Sequence, residues 1–182
     1  MIRDDIERTL TGYAQQFPAD IDVVAALRSL QEQAAEITSR KEFRGHVTCG
    51  AIVINEDRRL LMIRHKTLDR WLFPGGHVEQ GDSSLRAAAL REIAEETGIQ
   101  TTALAAPAGE FAHLPIYIDH HPIPANPARA EPEHHHFDFC FVFKGNPEAL
   151  ALQQDEVSDS AWVSPEMAPA AIRDRLVELK LV

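Results

Sequence analysis

Apolar positions in the first forty residues recur every three or four places. Ile2, Ile6, Leu10, Tyr13 and Phe17 mark one amphipathic helix over residues 2–17, and Pro18-Ala19-Asp20 breaks it. Asp20 is placed to cap a second helix, with Val23, Leu27, Leu30, Ala34 and Ile37 as its apolar stripe. The two form a helical hairpin whose stripes must pack on something: either the domain that follows or a second copy of the chain. Ser39 to Arg44, polar and basic, reads as a linker. From His46 the pattern turns to strands, HVTCGAIVIN and RLLMIRH, on either side of the turn-like Glu56-Asp57-Arg58. Helix returns after residue 83. Ser83 or Ser84 can cap it, Ala87-Ala88-Ala89-Leu90 favours it and Gly98 stops it.

Beyond that helix a strand is expected near residues 109–118. HHPIPANPARAEPE then reads as an irregular, proline-punctuated stretch, long enough to be functional rather than a mere connection. HHHFDFCFVFKG alternates with period two. Phe137, Phe139, Phe141 and Phe143 fall on one face, and His134, His136, Asp138 and Cys140 on the other. A last strand near SAWVS precedes Ser164-Pro165, which open a closing helix carrying Ile172, Leu176 and Leu179. Strands interleaved with helices imply an α/β fold: a mixed sheet between helices, preceded by the hairpin.

The central helix carries the chemistry. At about 100° per residue, Glu92, Glu95 and Glu96 share one face, and Ala87, Leu90 and Ala94 fall opposite, where a core would bury them. Like charges at i, i+4 oppose a helix by roughly 0.2–0.5 kcal/mol per pair, and anions in the last turn oppose its dipole. Converging carboxylates do, however, hold hard divalent cations well, and Mg²⁺ is bound by one or two of them with waters and substrate phosphates completing the shell. Pro74-Gly75-Gly76 just ahead lets the backbone turn sharply and come close to a ligand or ion.

Gly75 to Ile99 resembles the Nudix box, Gly-x5-Glu-x7-Arg-Glu-apolar-x-Glu-Glu-x-Gly-apolar. Gly76 matches the opening glycine, and Arg91-Glu92-Ile93, Glu95-Glu96 and Gly98-Ile99 match the back half. Asp82 stands where the family has Glu, and eight residues rather than seven separate it from Arg91. The resemblance gives that first acid the task of bracing the loop against the arginine. It implies an α/β/α Nudix-type sandwich over residues 43–182, with a helical extension at 1–42 like that of a bacterial subset. It also implies hydrolysis, with Mg²⁺ or Mn²⁺, of a diphosphate linkage between a nucleoside diphosphate and another moiety. Glu95 and Glu96 would be metal ligands, Glu92 a ligand or water activator, the Gly75 carbonyl an added ligand, and Arg91 the residue that orients a glutamate. A further acid from outside the box is expected among Glu131, Glu133 and Asp138. Two other readings are a non-catalytic nucleotide-binding module of the same fold, and an isoprenoid-diphosphate isomerase using Cys49 or Cys140.

Composition narrows the setting. A formal charge of −10 argues against nonspecific binding to nucleic acid or anionic lipid, so an anionic substrate needs a metal and a few local cations. Arg64, Lys66 and Arg70, just before the glycines, are candidates to contact phosphate. His77 follows the double glycine and is expected to face the pocket. His134-x-His136-x-Asp138 admits three readings: transition-metal ligands, a hydrogen-bonded polar pocket, or substrate contacts. Two cysteines in strand-like runs and a charged N-terminus without a signal-peptide core fit a reduced cytoplasmic setting. The 182 residues contain no apolar run near the ~20 of a membrane span. The expected partner is a small-molecule diphosphate; for the hairpin, packing on the domain that follows is the first reading and a homodimer contact the second.

Overall fold

The computed structural model describes residues 2–147 and 150–182. Helix α1 spans Ile2–Gln16 and α2 spans Ile21–Glu32. The strands are β1 His46–Ile54, β2 Leu60–His65, β3 Arg70–Leu72 and β4 Gly75–His77, then β5 Tyr117–Ile123, β6 His134–Lys144 and β7 Val157–Val163. Helix α3 covers Leu85–Thr97 and α4 covers Ala170–Glu178.

All nine residues of β1 are buried, and this strand is the middle of the sheet. It runs parallel to β6 from His46↔His136 to Ile54↔Lys144. The other pairings are antiparallel: β2 and β4 on β1, β3 and β7 on β2, and β5 on β6. Period-two alternation sorts the side chains into two cores. Val47, Cys49 and the four phenylalanines of β6 pack with α1, α2 and α3, while Ile52, Ile54, Cys140 and Val142 pack with α4. The result is a mixed sheet between helices, as the pattern implied.

The hairpin stripes are spent inside this chain. Ile6, Leu10, Tyr13, Phe17, Val24 and Leu27 are buried with the phenylalanines of β6. Polar contacts add to this. The Tyr13 hydroxyl donates to Asp20 and accepts the Ile118 N–H, and Arg175 of α4 donates to the same Asp20 carboxylate at 2.9 Å. Asp5 Oδ2 accepts the Leu85 N–H at 2.8 Å, so α1 caps the first turn of α3.

Several expectations change. Asp20 occupies the cap position of α2 without a capping hydrogen bond, because Tyr13 and Arg175 take its carboxylate. Helix α2 ends before Ala34, which adopts φ 55°, and the N–H groups of Ala34 and Ala35 return to Gln31 and Leu30. Those two bonds form a Schellman stop. Ile37 therefore lies in a loop, buried, with its carbonyl on the Val47 N–H. The strand expected near 109–118 begins at Tyr117, takes in His120 to Ile123, and is preceded by a 3-10 turn at Gly109–Ala112. Pairing with β6 extends it into the proline-punctuated stretch, and its edge position tolerates Pro122. Ser164-Pro165 open a short 3-10 turn, and α4 starts only after Pro169.

The face of α3 also turns. Its buried residues are Leu85, Ala88, Ala89, Ile93, Glu96 and Thr97 rather than Ala87, Leu90 and Ala94. The carboxylate edge is not the face opposite the core but borders it, because β4 and the loop to α3 fold over that edge. Among the described residues no helix is long and apolar enough to cross a membrane.

Candidate active site

Helix α3 starts at Ser84, whose hydroxyl accepts the Ala87 N–H at 3.0 Å, and ends at Gly98 with φ 70°. Those two signals set the phase of Glu92, Glu95 and Glu96. Glu96 is 4% exposed, and its Oε2 accepts the Gly75 N–H at 2.9 Å. Burial pushes its carboxyl up to about 8, and the neighbouring Glu92, Glu156 and Glu95 carboxylates push the same way. Burial also raises Glu92. Glu95 is more exposed and points outward. The three acids thus run from core to solvent along one helix edge.

Arg91 holds the set in place. One amino group donates to Glu92 Oε1 at 2.9 Å and Glu95 Oε2 at 3.0 Å. The rest of the guanidinium forms a two-pronged pair with Asp82, both contacts at 3.1 Å, and reaches the His77 carbonyl at 2.8 Å. Asp82 Oδ2 also accepts the Glu79 N–H. The shorter acid and the extra residue before Arg91 still place this carboxylate on the arginine.

Both glycines lie hard against their neighbours. A side-chain carbon on Gly75 would lie 2.6 Å from the Cys49 carbonyl oxygen, and one on Gly76 would lie 2.5 Å from Glu92 Oε1. The donors here are carboxylate oxygens, two of them partly or wholly buried and repelling one another. That chemistry fits a hard divalent cation.

The other candidates divide. Arg64 is held by Asp69 through contacts of 3.0 and 2.6 Å, Lys66 donates to the Gln154 carbonyl, and Arg70 is exposed on β3. Glu131 pairs with Arg40 and Glu133 is exposed. Asp138 lies against Gly50, with Thr48 on one oxygen at 3.0 Å and Cys140 on the other; burial raises its pKa. His77, His134 and His136 gather with His46 on that same side of the sheet, opposite α3. Burial holds His77 at about 4 and His136 at about 3, so both rings stay neutral at pH 7. Both cysteines are buried, and burial raises their thiols.

Two residues escaped sequence reasoning. Glu156 sits just before β7, close enough to perturb Glu96, and only the acidic run QQDEVSD hinted at it. His46 opens β1 and joins the histidine group only through the parallel β1–β6 register.

The sheet, the glycine turn and the arginine-bound glutamate helix define a protein class, and the comparisons agree. The NUDIX domain model matches residues 44–180, and the chain belongs to that family. Among curated relatives, it is 39% identical over 70 residues to a putative 8-oxo-dGTP diphosphatase of Bacillus subtilis (strain 168), covering 38% of this chain and 46% of that one. It is 41% identical over 54 residues to nucleoside diphosphate-linked moiety X motif 6 of Xenopus laevis, covering 29% and 24%. The matches thus span less than half the length of these relatives. Solved structures with the same fold include an Ap4A hydrolase binary complex from C. elegans, at TM-score 0.53 and 19% identity over 74% of this chain and 95% of that one. A MutT NUDIX hydrolase from Burkholderia pseudomallei gives TM-score 0.51 and 22% identity over 74% and 98%.

Proposed function

We propose that this chain is a metal-dependent pyrophosphohydrolase that cleaves a diphosphate linkage in a nucleoside diphosphate derivative or a similar organic pyrophosphate. The observation that carries the reading is the buried Glu96 beside Glu92, with Arg91 bound to Glu92 and Glu95. Glu92, Glu95 and Glu96 would hold Mg²⁺ or Mn²⁺, the Gly75 carbonyl would add an oxygen, and Glu156 is our choice for the acid from outside the box. When bound, the cation neutralises nonbridging phosphate oxygens and lowers the pKa of a coordinated water. Attack of water on phosphorus breaks the bridging P–O bond, and Glu92 takes the water's proton. Burial raises its pKa above the ordinary carboxylate value, which favours proton uptake. Arg91 keeps that carboxylate aimed, with Asp82 and the His77 carbonyl bracing it from behind.

Arg70, exposed near the box, is the phosphate contact we favour; Arg64 and Lys66 must first release Asp69 and the Gln154 carbonyl. The buried, high-pKa thiols of Cys49 and Cys140 speak against the isomerase alternative. The relatives' names point to oxidised nucleotides and dinucleotide polyphosphates as the first substrates to try. The test is product release, with Mg²⁺ and after chelation, from oxidised nucleotides, dinucleotide polyphosphates and nucleotide sugars. Turnover that needs the cation and falls ~10²–10⁴-fold in Glu92→Gln is expected. Turnover unchanged by exhaustive chelation refutes the reading, and tight nucleotide binding with no turnover of any compound points to a binding module.

A further inference from the structure

On the sheet face away from α3, four histidine rings from three strands meet at one end of the sheet. His46 comes from β1, His77 from β4, and His134 and His136 from β6. Ring centroids lie 4.6 Å apart for His46–His136, 5.1 Å for His46–His77 and 5.4 Å for His77–His136. One nitrogen from each of these three rings lies within 4.8 Å of the other two.

Backbone carbonyls fix the tautomers of two of these rings, His46 and His134. His46 is 1% exposed; its Nδ1 sits 3.2 Å from the Glu42 carbonyl, and its Nε2 is buried with no hydrogen-bond partner. A carbonyl only accepts, so Nδ1 carries the proton and Nε2 is left with a free lone pair. His134 is fixed in the same way at Nδ1, but its Nε2 accepts a hydrogen bond from His136 Nε2, which carries the proton between them. Its Nδ1 is 2.8 Å from the Pro132 carbonyl, and its Nε2 is 3.2 Å from His136 Nε2. Backbone carbonyls that fix the tautomer and orientation of a ring are the usual support of a metal-binding histidine. A buried ring nitrogen with no partner is otherwise unfavourable.

We infer that His46, His77 and His136 form a binding site for a late first-row divalent metal ion such as Zn²⁺, with His134 packed beside it. The all-nitrogen donor set selects such ions over Mg²⁺, which takes oxygen. At Zn–N distances of about 2.0–2.1 Å, tetrahedral donors sit about 3.3 Å apart. The three-ring set closes by about 1.5 Å or less from its 4.8 Å limit. The ion would tie β1, β4 and β6 together at one point. Strand β4 passes this to the opposite face, because the His77 backbone carbonyl holds Arg91 while the His77 ring belongs to the histidine group. The site is thus distinct from the carboxylate site and positions it from behind. It does not depend on the hydrolase reading.

The test uses chelator-stripped full-length protein titrated with Zn²⁺ against a chromophoric competitor, with saturating Mg²⁺ present. Co²⁺ absorption on the wild type reports the donor set independently of any variant. One equivalent of Zn²⁺, intense nitrogen-donor Co²⁺ bands, and affinity weakened at least ~10-fold in His46→Gln and His136→Gln are expected. Glu96→Gln should leave that Zn²⁺ equivalent in place. Absence of stoichiometric Zn²⁺ uptake by the wild type overturns the proposal. So does uptake that survives both histidine substitutions and is lost in Glu96→Gln. A wild type that takes up no Zn²⁺, together with a raised KM in His136→Gln, returns the rings to substrate contact and overturns it equally.

Discussion

Gly75→Ala and Gly76→Ala add the same methyl group to adjacent residues and should fail in different ways. At Gly76 the new carbon would sit 2.5 Å from Glu92 Oε1 and 2.7 Å from Glu92 Cδ. Ordinary contact begins near 3.4 Å, so the carboxylate must retreat by about 0.9 Å. It can do so only by disturbing its 2.9 Å bond to Arg91, since both ends of the contact belong to the site. A misplacement of about 1 Å at a reacting group costs on the order of 10²-fold in rate. The core is untouched, so folding should change little. At Gly75 the carbon would meet main chain: the Cys49 carbonyl oxygen at 2.6 Å and Gly50 Cα at 3.0 Å. Neither neighbour can rotate away, so β1 and β4 must part, at a cost of about 1–3 kcal/mol as for other overpacked sites. Initial rates with Mg²⁺ on the best substrate of the panel, with urea unfolding alongside, separate the two. Full activity in Gly76→Ala refutes the placement of Glu92 against the glycine turn. An activity loss in Gly76→Ala that merely tracks unfolding refutes it as well.

Without a cation, the proposed ligand Glu96 is a buried acid. The folded, metal-free chain keeps a proton on Glu96 up to about pH 8, whereas the unfolded chain releases it near 4.5, so stability should fall as pH rises between those values. Glu96→Gln should flatten that slope in urea unfolding across the same range, and an unchanged slope contradicts the assignment. Asp5→Ala should cost about 0.5–2 kcal/mol, as loss of other N-terminal caps does, by uncapping α3; thermal unfolding equal to wild type would show the Leu85 contact idle. Tyr13→Phe leaves the buried Ile118 N–H without its acceptor and should cost about 1–3 kcal/mol with little change in KM. Loss of turnover in the variant under conditions where it remains folded would instead tie the hairpin to the chemistry.

Helices, strand alternation and the glutamate series were legible in the chain because each depends on neighbours within about one turn or one pleat. Ser84, Gly98 and the four alternating phenylalanines are where the pattern placed them, and Arg91 came with the motif. What local pattern cannot carry is direction and company. The turn of α3 that buries Glu96 instead of Leu90 follows from β4 and its loop folding over the carboxylate edge. Asp20 looked like a cap in sequence and became an ion-pair partner because α4 delivers Arg175, far away along the chain. Strand β5 ran on through Pro122 because β6 supplied a register and the sheet edge supplied room. The histidines show the same limit. His134 and His136 were visible as a pair, but the site needs His46, 90 residues from its register partner on a parallel neighbour, and His77 from an antiparallel one. The residue types are written in the sequence; which of them share a volume of a few ångströms is decided by strand pairing, a long-range choice made by burial of the whole sheet.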